Sequence, residues 1–145
     1  MRKRLFIVLA AAALAFLATA QQSQADRSLK VKLNYTGSGN VDEKHKIFIF
    51  LFDSPDFVQG DVAPFAAQTA AAKDQAVTFS SLSAPEVYIV AAFDPKGAYD
   101  GMAPPPSGSS AGMYTKEGGK PAPVNLEAGK TAQIELAFDD SYKMP

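Results

Sequence analysis

LKVKLNY, residues 29 to 35, alternates apolar and polar side chains without a break. Side chains of a strand point to opposite faces in turn, so Leu29, Val31, Leu33 and Tyr35 share one face and the lysines and Asn34 the other. That pattern predicts a half-buried strand. Residues 47 to 52, IFIFLF, are apolar at every position and are bounded by Asp53-Ser54-Pro55. A run this short and this rich in β-branched and aromatic residues predicts a strand covered on both faces. Residues 87 to 93, VYIVAAF, read the same way, and Val77 and Phe79 alternate with Thr78 and Ser80 in a shorter strand. Ala132, Ile134, Leu136 and Phe138 alternate with Thr131, Gln133 and Glu135 in a last, one-sided strand. The alanine-rich segment from Asp61 to Lys73 leaves room for one short helix, alanine being the best helix former. Six or seven short strands with no long amphipathic helix predict an all-β fold, an antiparallel β-sandwich over residues 29–138.

Arg2, Lys3 and Arg4 precede an unbroken apolar run from Leu5 to Ala18, and Ala18-Thr19-Ala20 supplies small residues suited to signal peptidase. This is the layout of a secretory signal, expected to cover residues 1–20. The run is shorter than the roughly 20 residues a membrane-spanning helix needs. Residues 21–28 are expected as a flexible mature N-terminus, and 139–145 as a soluble tail begun by Asp139-Asp140. A periplasmic or secreted location follows. The chain has no cysteine, so neither disulfides nor a thioether-linked lipid can support it. Removing the signal leaves 11 basic against 15 acidic side chains, a net charge of −4 that disfavours nucleic acid and anionic membrane as partners.

VTFSSLSAPEVYIVAAFD, residues 77 to 94, resembles the signature of the prealbumin-like, carboxypeptidase-regulatory-like (transthyretin-like) domains, with Phe79, Leu82, Tyr88 and Val90 at the recurring apolar and aromatic positions. The closing VNLEAGKTAQIELAF, residues 124 to 138, fits the same order. Pro85-Glu86-Val87 stands where the family usually has a glycine before the tyrosine. The resemblance implies a β-sandwich and a non-catalytic accessory or adhesive role. One branch of the family resembles hydroxyisourate hydrolase, which uses several histidines, an arginine and a C-terminal Tyr-Arg-Gly-Ser. This chain has one histidine and ends Ser141-Tyr142-Lys143-Met144-Pro145.

Between Asp94 and Gly119, six glycines, four prolines and three serines fill half of the 26 positions, which predicts a long surface loop. Its large side chains, Tyr99, Met102, Met113 and Tyr114, are positioned either to anchor it or to face a partner, and anchoring is the preferred reading. Asp94, Tyr99, Asp100, Met102 and Tyr114 are the candidate binding residues. Asp94 and Asp100 flank a glycine turn and offer hard oxygens to calcium, although turns select the same residues. Copper on the thioethers of Met102, Met113 and Met144 is a second metal possibility. Residues 108 to 112, GSSAG, match the G-x-S-x-G nucleophile elbow around Ser110. That elbow needs a strand before it, a helix after it and a later histidine. Here Pro104-Pro105-Pro106 precedes it, and His45 comes earlier in the chain. His45, between Lys44 and Lys46, reads as a solvated surface histidine, and Asn34-Tyr35-Thr36 as a chance glycosylation sequon within a strand.

No catalytic residue, no resident metal and no cofactor are therefore assigned. The leading expectation is an exported non-enzymatic module that recognises a protein or saccharide partner through the loop and a sheet edge. A small-ligand or metal-ion carrier in the cell envelope is the alternative.

Overall fold

The structure, a computed structural model, describes residues 26–145, so the expected signal and its cleavage site lie outside the described residues. Eight strands follow in order: β1 (Arg27–Tyr35), β2 (Ile47–Phe52), β3 (Ala66–Ala70), β4 (Ala76–Leu82), β5 (Glu86–Phe93), β6 (Ser110–Met113), β7 (Val124–Asn125) and β8 (Thr131–Phe138). One turn of 3₁₀ helix, Pro55–Gln59, is inserted after β2. One sheet runs β4-β1-β8; the other runs β3-β2-β5-β6, with β7 also pairing β5.

The alternation in β1 closes the sandwich. Leu29, Val31 and Leu33 are fully buried, and they meet Val77 and Phe79 from β4 and Leu136 and Phe138 from β8. Across the interior they face Ile47, Ile49 and Leu51 of β2 and Val87, Ile89, Ala91 and Phe93 of β5. A fully buried side chain of this size contributes roughly 1.5–3 kcal/mol, so this layer carries most of the stability.

β2 and β5 have a second apolar face. Phe48, Phe50 and Phe52 alternate with the inward Ile47, Ile49 and Leu51, and Tyr88, Val90 and Ala92 do the same on β5. This outer face needs its own cover, and two excursions provide it. Phe57 of the 3₁₀ turn stacks on Phe52 with ring centroids 4.7 Å apart. From the loop after β5, Tyr99 tilts against Phe48 at 4.7 Å and Phe50 at 6.3 Å. Strands covered on both faces read as continuous apolar runs, which is why IFIFLF has no polar position.

The fold is the all-β sandwich that the alternation predicts, and the details differ. The described residues form eight strands where six or seven were expected, and one pair is parallel: β1 and β8 run from Ser28↔Thr131 to Tyr35↔Phe138. Tight turns dictate direction only between consecutive strands; β1 and β8 are the first and last strands, and no local turn relates them. The alanine-rich segment is an edge strand, β3, pairing β2 from Ile47↔Ala70 to Leu51↔Ala66. Its helix preference is a few tenths of a kcal/mol per residue; the open hydrogen-bonding edge of β2 outweighs it. The glycine- and proline-rich stretch is divided by β6, whose Ser110 and Ala111 are buried.

Candidate binding surface at the loop and the adjoining sheet edge

The loop begins where β5 ends, and Asp94 builds its root. The side chain is buried and spends both oxygens on the backbone: Lys96 N–H donates to Oδ1 at 2.9 Å, while Ala98 and Tyr99 N–H donate to Oδ2 at 2.9 and 3.1 Å. Short polar side chains commonly clamp a turn in this way. Asp100 repeats the device, accepting Met102 N–H on Oδ1 at 3.0 Å. Gly101 then turns with φ +81°, and a Cβ there would lie 2.9 Å from the Phe48 ring. Only glycine lets the loop approach this closely.

Tyr99 pins the middle of the loop. Its ring covers Phe48 and Phe50, and its hydroxyl donates to the carbonyl of Ala103. Burial, aided by the nearby Asp100 carboxylate, pushes the phenol up to about 12. His45 supports the loop from beneath. It is half-buried, its Nδ1 lies 2.9 Å from Asp42 Oδ1, and a Cβ on Gly97 would stand 2.8 Å from its ring. It is therefore packed instead of solvated, and its neighbours are a carboxylate and the loop. Beyond these anchors Met102 projects into solvent, 87% exposed.

Four of the five candidate residues, Asp94, Tyr99, Asp100 and Met102, thus belong to one loop. Tyr114 does not join them. It packs against the inner core, donates its N–H to the Ile89 carbonyl at 2.9 Å and lines a shallow cleft of about 160 Å³ with Met113, Thr115, Glu135, Leu136 and Ala137. Tyr99 and Tyr114 therefore sit on opposite faces of the five-stranded sheet. Both Asp94 oxygens hold the turn, and among the described residues no cluster of three or more His, Asp or Glu side chains is placed to hold a metal ion. The residues present do not fit a calcium site. Met102 stands on the loop, Met113 in the cleft and Met144 in the C-terminal segment.

Sequence reasoning missed a second cluster altogether. The segment expected as a soluble tail folds back along β6. Gly108 N–H donates to the Met144 carbonyl at 2.9 Å, Met144 N–H to Ser109 O at 2.8 Å and Ala111 N–H to Tyr142 O at 3.1 Å. Asp140 sits at the centre. Its Oδ1 accepts from Tyr35 Oη and Ser110 Oγ, each at 2.6 Å, and its Oδ2 accepts from Ser38 N–H at 2.8 Å and Ser38 Oγ at 2.9 Å. Lys143 Nζ donates to Ser110 Oγ at 2.6 Å and to Asp140 Oδ1 at 3.2 Å. The Ser110 and Tyr35 hydroxyls hold the Asp140 carboxyl far below the usual carboxylate range. Burial, reinforced by the bond to Asp140, raises the Tyr35 phenol.

A serine beside a lysine invites comparison with nucleophilic catalysis. Ser110 is wholly buried, however, and its proton is directed at Asp140 while the lysine donates to its oxygen. The carboxylate that accepts the Ser110 proton is held far below the usual carboxylate range, which makes it a weak base. It fastens three distant parts of the chain.

No family model, curated protein or solved structure matches this chain.

Proposed function

We propose that this chain is an exported, non-enzymatic β-sandwich of the prealbumin-like kind, a binding or accessory module that recognises a protein partner through the tip of the loop after β5. The observation that carries this reading is the contrast within that loop. Its root is clamped by Asp94 and its middle pinned by Tyr99, while Met102 at the tip is 87% exposed. On a loop whose backbone is already clamped, covering a large apolar side chain orders that side chain alone, which is what a recognition loop requires. The thioether is adaptable and suits an apolar protein surface. A saccharide platform would need open aromatic faces beside the loop; the exposed aromatics Phe65 and Tyr142 stand on other segments, and Phe50, Phe52 and Tyr88 lie beneath their covering loops. The reading as a non-enzyme is supported by the committed proton of Ser110 and by the spent oxygens of Asp94 and Asp140.

Pull-down from an envelope extract tests this, comparing the natural chain with one in which residues 100 to 106 are replaced by a short Gly/Ser linker and Tyr99 is kept. The expected result is a captured protein that the linker variant, still folded by circular dichroism, loses. Equal capture by both would refute recognition through the loop tip.

A further inference from the structure

The edge of β6 is a strand-accepting groove that the chain keeps filled with its own C-terminal segment. Residues 142–144 lie antiparallel to β6 around the Ser110↔Lys143 bridge, held by the three main-chain hydrogen bonds described above. Little packing holds them: Ser141, Tyr142, Lys143 and Pro145 are exposed, with Tyr142 56% exposed. What specifies the segment is the single cation. Lys143 places its ammonium on Ser110 Oγ and Asp140 Oδ1. Asp140 itself does not depend on the segment beyond it, because Tyr35 of β1 and Ser38 of the turn that follows hold it independently. If residues 141–145 lifted away, an unpaired strand edge, a fixed carboxylate and two buried hydroxyls would remain. One of them, Ser109 Oγ, has no hydrogen-bond partner even with the segment in place.

We propose that this edge binds an extended segment of a partner protein carrying a lysine at the position of Lys143, with the C-terminal segment acting as a tethered competitor that the partner displaces. Main-chain pairing supplies affinity along a strand edge, and one side-chain position supplies choice. Here the choice is electrostatic, since the charge that Lys143 meets on this edge is the Asp140 carboxylate. The inference rests on the reading of the chain as a binding module but uses a different surface. The linker replacement at residues 100 to 106 leaves β6 intact, so either idea can fail without the other.

The test uses the full chain and a fluorescent peptide, Gly-Ser-Tyr-Lys-Met-Pro-Gly. A tethered segment competes at an effective concentration on the order of millimolar, so the natural chain should bind the peptide weakly. Met144→Pro deletes the N–H that donates to Ser109 O and leaves Asp140 untouched; Lys143→Ala vacates the cation position. Either chain, checked for folding by circular dichroism, should bind at least ten times more tightly than the natural one. Changing the peptide lysine to alanine should cost at least tenfold. Should both variants unfold, the natural chain with millimolar peptide decides the matter by hydrogen exchange, with altered protection at Gly108 and Ala111 expected. Absence of binding, equal binding by the lysine-free peptide, or unchanged exchange on β6 would overturn the proposal. So would a dimer seen by sedimentation that Lys143→Ala abolishes, because the occupant would then be a second copy's own segment.

Discussion

Replacing Asp140 by alanine strips the acceptor from two buried hydroxyls at once. Tyr35 Oη and Ser110 Oγ both donate to Oδ1, and Ser110 is completely buried. A buried donor left unsatisfied costs about 1–3 kcal/mol, so Asp140→Ala should destabilise the fold by about 2–5 kcal/mol. The contacts to the more exposed Ser38 and Lys143 add little, as solvent screens them. For a domain of this size the loss amounts to a fall in melting temperature of about 10 °C or more. Asp140→Asn keeps the shape and one acceptor and should lie between. The pH dependence separates a charge effect from a packing effect. The folded carboxyl titrates well below its unfolded value of about 3.9, so its contribution is complete above that value and declines as pH falls beneath it. Thermal melts between pH 2 and 7 should show that decline in the natural chain and a shallower one in Asp140→Asn. An Asp140→Ala chain melting within about 0.5 kcal/mol of the natural one at pH 7 would refute the reasoning.

Tyr99→Ala should uncover Phe48 and Phe50 at a cost of about 3–5 kcal/mol, and limited proteolysis should then cut the loop first; Tyr99→Phe, losing one hydroxyl bond, should cost about 1 kcal/mol. The Tyr99 phenol, raised to about 12, stabilises the fold below the ordinary tyrosine value of about 10 and withdraws that support as pH climbs towards 12. Absorbance titration near 295 nm should find late-ionising tyrosines, and Tyr99→Phe should remove one of them. Gly112→Ala places a Cβ 2.3 Å from Phe138 Cβ, where β6 and β8 close the sandwich. Urea titration should show a loss of about 1–3 kcal/mol, and no loss would mean that the sheets lie farther apart at this edge.

What could be read in advance was whatever repeats with a period of two. β1 and β8 announce one buried face, and the Ile-Ile-Leu and Phe-Phe-Phe sets interleaved in β2 announce two. β3 and β6 were illegible because Ala-Ala-Gln-Thr-Ala and Ser-Ala-Gly-Met hold one β-branched residue, Thr69, and no aromatic between them; pairing with β2 and β5 makes them strands. The candidate residues in the loop were half legible. Turn chemistry pointed to Asp94 and Asp100, whose carboxylates accept backbone N–H groups of the loop. The Asp140 cluster carried no local signal, because Tyr35 and Ser110 lie 105 and 30 residues away in the chain. Only the closure of the sandwich brings them together.

The central claim is that the loop after β5 is a pinned platform with a free tip, and residue-resolved amide hydrogen exchange tests it most directly. The amides of Lys96, Ala98 and Tyr99, bonded to the Asp94 carboxylate, should exchange slowly, while those of Ala103 and Ser107, on either side of Pro104-Pro105-Pro106, exchange fast. Equally fast exchange at Lys96, Ala98, Tyr99, Ala103 and Ser107 would contradict the account.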